Sequence, residues 1–206
     1  MVRKKRAKGA RRAFINAGCG HEDSSWLPAY FESWKELRVD IDASTNPDLI
    51  TSVTDLSAVP DATVHAVWSS HSLEHLYAHE VPIALGEFRR VLNPDGFVCI
   101  IVPDLQAIGN LIATDRLAEI IYESPSGPVT AHDMIFGFGP ALASGSIAMA
   151  HHCGFTPTPL IKSLTEAGFE EILLRRKGSL ELVAVAFAHR SGDPNSLEHI
   201  LAELGF

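Results

Sequence analysis

FINAGCG, Phe14 to Gly20, is the most informative run of residues in the chain. A short apolar run ends abruptly in two glycines separated by one residue. About 20 residues later a carboxylate, Asp40, closes a second apolar run. This is the spacing expected when a first strand binds a nucleotide and a second strand grips its ribose. Gly18 and Gly20 remove the side chains that would keep a backbone away from a bulky ligand. Asp40 offers acceptors to a sugar hydroxyl pair, and Asp42 is a competing acid two residues on.

Outward from this bend, strand-like and helix-like segments alternate. Ala13–Ala17, Glu36–Ile41, Asp48–Val53, Val64–Ser69 and Phe97–Val102 read as strands, the last following an Asn93-Pro94-Asp95-Gly96 turn signal and ending at Pro103. Ser24 and Ser25 suit a helix start ahead of Trp26 to Trp34, and Glu80 to Leu92 has helical spacing. The stretch from Asp104 to Pro159 is broken by Pro125, Pro128, Pro140 and Pro157, with a helical piece around Leu105–Ile121. It reads as a cap or insertion at about 104–160. Leu160–Ala167 is an amphipathic helix closed by Gly168. Phe169–Arg175 and Leu180–Ala188 read as an antiparallel hairpin, and Asn195–Leu204 as a last helix. The fold class that follows is α/β, a Rossmann-like doubly wound sheet, mostly parallel, with an antiparallel terminal hairpin.

The 206 residues suit one domain with a sizeable core, expected over 13–206. No apolar run reaches the roughly 18 residues that span a bilayer. Cys19, Cys99 and Cys153 are odd in number and widely spaced, which fits reduced thiols in a cytoplasmic protein. The net charge of −8 hides an asymmetry: seven of the 17 basic residues fall in 1–12, leaving 10 against 25 acidic ones, or −15. An acidic body is a poor partner for a phosphate backbone, so nucleic acid is not the expected partner. The basic tail reads as a solubilising, disordered terminus.

Five motifs in order, AGCG (17–20), VDID (39–42), SVTDLSAVP (52–60), SSHSLEHL (69–76) and EFRRVLNPDGFVCIIVPD (87–104), resemble class I S-adenosylmethionine-dependent methyltransferases of the type 11 group. The resemblance covers about Phe14 to Asp104. It implies a seven-stranded sheet and S-adenosyl-L-methionine as cofactor. By the same resemblance, Ala17, Gly18, Cys19 and Gly20 meet the methionine carboxylate, and Asp40 and Ile41 the ribose side. Asp55 and the main chain at Leu56 meet the adenine, and Ser69, Ser70 and His71 lie nearest the sulfonium.

Three rivals compete with that reading. A nicotinamide enzyme wants a small residue three beyond the second glycine, but Asp23 stands there, a negative charge where phosphates would sit. His71-Ser72-Leu73-Glu74-His75 matches the H-x-x-E-H pattern of inverted zinc peptidases, with His151-His152 or His132-Asp133 to complete a shell. The third is a methyltransferase fold that binds cofactor but serves only as a partner module.

Methyl transfer needs a held geometry and, for many oxygen or nitrogen acceptors, a base near neutral pKa. His71 is the first choice on the motif and His152 or its neighbour His151 the second, with His75 and His132–Asp133 behind. Met134, Phe136, Phe138, Met149 and Phe155 suggest an apolar pocket for a small-molecule acceptor such as a sugar, lipid or metabolite.

Overall fold

A computed structural model describes residues 11–21, 27–190 and 196–206. Nine strands are present: β1 (Ala13–Ala17), β2 (Lys35–Asp40), β3 (Leu49–Ile50), β4 (Val64–Ser70), β5 (Leu92–Pro103), β6 (Ile120–Ser124), β7 (Gly127–Thr130), β8 (Glu171–Lys177) and β9 (Glu181–Phe187). The α-helices are α1 (Val81–Val91), α2 (Leu105–Ile112), α3 (Ala131–Phe136), α4 (Gly139–Ala143), α5 (Pro157–Glu166) and α6 (Ser196–Glu203). Seven strands form one sheet in the order β3-β2-β1-β4-β5-β9-β8. β1 to β5 run parallel, while β9 inserts antiparallel between β5 and β8.

Alternation along each strand sends residues to two separate cores. Ile15, Val67, Ile100 and Ala184 face α1 and α5, which contribute Leu85, Phe88, Leu160 and Leu164. Phe14, Trp68, Cys99 and Val185 face the other way, against Phe31, Trp34 and the Leu197–Leu201 side of α6. A strand buried on both faces has no polar alternate positions, which is why β1, β4 and β5 read as near-continuous apolar runs. α1 leaves β5 through a Leu92–Val64 pairing whose register shifts before Ala66, so the Asn93–Gly96 signal becomes an irregularity inside the strand.

Three expectations change. The aromatic segment before β2 forms only a short 3-10 turn, Ala29–Phe31, because Pro28 lacks the N–H that a longer helix needs there and disfavours helical backbone at Leu27. Its rings cluster instead: Phe14 stacks on Phe31 at 4.3 Å and meets Trp34 edge-on at 6.4 Å. The start of that expected helix, at Ser24 to Trp26, lies outside the described residues. The helix from Leu105 stops at Ile112, where Asp115 adopts φ +57° and Arg116 N–H reaches back to Leu111 O. Ile120 to Thr130, whose first residues sat at that helix's expected end, is an antiparallel hairpin, β6–β7. The third strand shrinks to Leu49–Ile50, ending where Thr51 N–H caps the Asp40 carbonyl and Asp55 N–H closes a turn on Ser52.

The 104–160 segment carries a small core of its own, Ile108, Val129, Ala131 and Met134, set over the carboxyl ends of the strands. Asp104, 1% exposed, fixes its start by capping α2 through Gln106 and Ala107 N–H and by pairing with Arg176 at 3.0 Å. Thr130 and Asp133 form a capping box that starts α3.

Arg90 at the end of α1 pins the loop before β4. It donates to Leu56 O and Val59 O at 2.8 and 2.9 Å while paired with Glu87 and Asp61. Arg90→Ala is expected to lower stability by about 1–3 kcal/mol, because two carbonyls and two carboxylates lose a charged donor together. Thermal unfolding measures it, and an unchanged midpoint would contradict the assignment.

All three cysteines are free thiols. Among the described residues no helix is long and apolar enough to cross a membrane. The basic tail falls mostly outside the described residues, although Arg11 donates to Ser33 O and Arg12 lies over the Trp34 ring.

Candidate functional site

The bend after β1 is held open by β2. Gly18 and Gly20 both have positive φ, +71° and +59°. Gly18 and Cys19 N–H both donate to Val39 O, at 2.9 and 3.1 Å. Gly20 N–H donates to Asp40 Oδ2 and Asp42 N–H to Asp40 Oδ1, each at 2.9 Å. Arg38 Nη2 donates to Gly20 O at 2.6 Å and to Thr45 O at 3.1 Å. Four consecutive features of the bend are thus tied to one neighbouring strand.

Asp40 is half-buried at the end of β2, next to exposed Ile41, and neither residue lines the cleft behind the bend. A carboxylate has about four lone-pair sites, and the two N–H bonds leave capacity for a sugar diol. Asp42 is exposed and is spent capping the Ala43–Thr45 turn through Ser44 N–H, which holds its carboxyl below the usual range.

Behind the bend lies a cleft of about 710 Å3 at the carboxyl ends of β1, β4 and β5. Such a volume lies within the usual range of small-molecule sites. Asn16, Gly18, Cys19, Gly20, Ser70 and His71 line the sheet side. Tyr122, Val129, Met134, Phe138, Met149 and His151 line the cap side. Lys177, Ser179 and Glu181 close one end. Open α/β sheets bind ligands at this edge, where the strand order reverses between β1 and β4.

The cofactor residues expected from sequence divide into two groups. Gly18, Cys19, Gly20, Ser70 and His71 meet in the cleft, with Ala17 buried directly beneath the bend. Ser69 is 1% exposed and shares a 2.7 Å hydrogen bond with Ser72, so it supports the wall without lining it. Asp55 and Leu56 lie elsewhere. Asp55 is exposed in a separate hollow with Glu87 and Arg90, accepting from Ser57 N–H, and Leu56 N–H donates to Glu87 at 2.8 Å.

His71 sits at φ +51° with both ring nitrogens on carboxylates, Nδ1 3.2 Å from Glu74 and Nε2 2.7 Å from Glu181. Burial disfavours the charged ring, but Glu181 and Glu74 outweigh it and push His71 up to about 10. The same contacts hold Glu74 below its ordinary range against the opposing pull of burial, and Glu181 at about 2. A ring that keeps its proton at neutral pH is a cation, not a base. That corrects the catalytic role expected of His71.

The second expected base, His152, is exposed, stacks on Tyr77 at 4.3 Å and does not line the cleft. His151, held by Nδ1 on Met134 O, enters the cleft instead. Phe136 points outward at 52% exposure and Phe155 packs in the sheet core, while Met134, Phe138 and Met149 do line the cleft.

Sequence reasoning missed Glu181, Tyr122 and Lys177. Glu181 had a signal: it is the single acid heading ELVAVAF, a run buried along its whole length. Among the described residues no group of three or more His, Cys, Asp or Glu is placed to hold a metal, and 73–75 forms a 3-10 turn rather than an α-helix. Asp23, the residue that argued against a dehydrogenase, lies outside the described residues.

A sheet ordered β3-β2-β1-β4-β5-β9-β8, with a glycine bend after β1 and an acid ending β2, is a methyltransferase-like Rossmann fold. Residues 16–100 match the family model described as "Methyltransferase domain". No curated protein matches the chain at significant similarity.

Several solved structures share the fold. A SAM-dependent methyltransferase from Archaeoglobus fulgidus is 14% identical with a TM-score of 0.56, covering 86% of each chain. Another from Methanosarcina mazei is 14% identical at TM-score 0.56, covering 87% of this chain and 94% of that one. The Burkholderia thailandensis 1,6-didemethyltoxoflavin-N1-methyltransferase, solved with 1,6-didemethyltoxoflavin and S-adenosylhomocysteine, is 18% identical at TM-score 0.53 over 88% and 73% of the two chains.

Proposed function

We propose that this protein methylates a small-molecule acceptor held between the strand ends and the 104–160 cap, residues 13–206 acting as one methyltransferase domain. The observation that carries this is the cleft itself. One wall is a side-chain-free bend tied to a ribose-type carboxylate, and the other is an apolar, histidine-bearing cap.

The residues present fit the cofactor. Gly18 and Gly20 allow the bend its positive φ, Gly18 without the Cβ that would strike Ser72, and Asp40 keeps acceptors for the ribose. When bound, S-adenosylmethionine supplies a methyl group on a positive sulfonium. The chain's own part is positional. The bend and Asp40 fix the donor, Ser70 and His71 border the sheet side, and Met134, Phe138 and Met149 shield the acceptor from water. The Glu74–His71–Glu181 clamp ties the end of β4 to the start of β9, which keeps that floor rigid. The bound Burkholderia neighbour, with a heteroaromatic acceptor beside S-adenosylhomocysteine, supports an acceptor of similar size. Three free thiols support a reducing, cytoplasmic setting.

Calorimetry with S-adenosylhomocysteine tests the reading. Wild type is expected to bind, and Asp40→Ala to bind about 5- to 150-fold more weakly, the equivalent of about 1–3 kcal/mol for lost bonds to a charged acceptor. No binding by wild type would overturn the function. An unchanged affinity for Asp40→Ala would move the ribose contact to Asp42. Tight binding without turnover of any acceptor would favour the partner-module reading.

A further inference from the structure

Two imidazoles line the cleft edge to face, His75 from the 73–75 turn and His151 from the cap, with ring centroids 4.8 Å apart at 68°. Each places Nδ1 3.1 Å from a backbone carbonyl, His75 on Ala150 O and His151 on Met134 O. A carbonyl can only accept, so Nδ1 is the donor in both rings, and in a neutral His151 ring Nε2 is the free acceptor. The two strands of this arrangement are laced together, since His152 and Cys153 N–H both donate to Glu74 O. His151 therefore cannot turn away without breaking the contact between cap and strand end.

Groups around His151 come from every neighbouring element: Glu74 and His75 on the turn, His71 ending β4, Asp133 on α3 and Tyr122 on β6. Burial comes first among the causes that hold His151 below its usual value, Glu74 opposing and His75 adding. The ring is neutral at neutral pH. Tyr122 is pushed up to about 12 by burial and the nearby acids, so it keeps its proton. His71 is already a cation on two carboxylates, and His152 faces away.

We propose that His151 Nε2 is the general base that removes a proton from the methyl acceptor, and that the acceptor is an apolar aromatic hydroxyl compound. This rests on the methyltransferase reading above. The walls around His151 are Met134, Phe138, Met149 and Val129, surfaces that suit a flat apolar ring better than a sugar with many hydroxyls to satisfy. In the step, the acceptor O–H bond breaks and its proton moves to His151 Nε2. The oxygen lone pair forms the bond to the methyl carbon, and the carbon–sulfur pair leaves with sulfur, giving a methyl ether, neutral S-adenosylhomocysteine and an imidazolium that returns its proton to solvent.

The experiment compares wild type and His151→Gln on 2-naphthol, 4-phenylphenol and catechol, which hold their protons at neutral pH, and on 2-naphthalenethiol, which is largely ionised without help. Wild type is expected to methylate at least one phenol and the thiol. His151→Gln should lose about 100-fold or more on the phenol, the usual range for a positioned base, yet stay within about 3-fold on the thiol. The acid limb of the phenol pH profile should vanish in the variant. S-adenosylhomocysteine affinity and the unfolding midpoint of the variant should match wild type, which separates lost chemistry from lost folding.

Long-range proton–nitrogen NMR gives a readout that needs no turnover. At pH 7.5 His151 should show a bare Nε2, and His71 should show both nitrogens protonated. The proposal is overturned if wild type binds S-adenosylhomocysteine but methylates none of the phenols, if phenol and thiol suffer alike in the variant, or if His151 Nε2 is protonated at pH 7.5. Failure to bind S-adenosylhomocysteine would instead bring down the methyltransferase reading, and this proposal with it.

Discussion

Gly18→Ala is expected to destabilise the protein by about 2–6 kcal/mol and to abolish measurable S-adenosylhomocysteine binding at concentrations that saturate wild type. Two costs combine. At φ +71° an alanine is held in a conformation that L side chains resist, worth about 1–3 kcal/mol. Its Cβ would also stand 2.5 Å from Ser72 Cβ, where no flexible chain end can yield, and overpacking of that kind costs about 1–3 kcal/mol. Relief requires moving Ser72 or the bend. Ser72 is bonded to Ser69, and the bend carries the N–H groups that bind Val39 and Asp40, so either movement deforms the cofactor wall. Gly86→Ala is the control. Gly86 lies within α1 with open space around its Cβ position, and alanine there should stabilise by about 0.5–1 kcal/mol. Urea unfolding of the pair should move in opposite directions. Equal, small shifts would contradict the packing described for the bend.

His71→Leu is expected to cost about 3–5 kcal/mol, the penalty for stranding a buried charge when its partner is removed. Glu74 is the reason. Its side chain is 1% exposed, its Oε1 relies on His71, and its Oε2 has no hydrogen-bond partner among the described residues. The His71 ring keeps 34% of its surface open, so the figure comes from the stranded Glu74 rather than from the histidine's own shift. The pH dependence carries a definite sign. His71 is raised, so its contribution is complete below its ordinary value of 6.5 and fades as pH climbs toward about 10. Glu181 is lowered, so its contribution is complete above its ordinary value of 4.5 and fades as pH falls toward about 2. Wild-type stability from this clamp should peak between about pH 4.5 and 6.5 and decline into the alkaline range. His71→Leu should lack that alkaline decline, and His71→Leu/Glu74→Leu should recover much of the loss. A single variant losing under about 1 kcal/mol, with the same alkaline slope as wild type, would contradict the clamp.

Much of the frame was legible because it is local or periodic. FINA ends at two glycines, VWSS and FVCIIV are buried on both faces, and Gly168 stops α5 at φ +89°. These features need only alternation, burial and a positive φ, all of which a sequence displays. What was not legible depends on partners far along the chain. Ile120–Tyr122 pairs with Val129–Thr130 across a tight turn, and nothing in IIYE distinguishes that from a helix end. The motif H-x-x-E-H fixes the spacing of His71 and Glu74, but Glu181, 110 residues away, decides that the ring is a cation. Likewise Leu56 looks free in sequence and is engaged by Glu87, 31 residues on. His151 and His152 are adjacent and chemically identical, and only contacts far along the chain, Met134 O for His151 and the Tyr77 ring for His152, decide which one meets the cleft.

A crystal structure with S-adenosylhomocysteine is the most direct measurement. The amino-acid end should lie against Gly18–Gly20, the ribose against Asp40, and the sulfur beside Ser70 and His71 with the cap cavity open before it. Density for the ligand in the Asp55–Glu87 hollow alone, or none in the cleft at saturating concentration, would contradict the account.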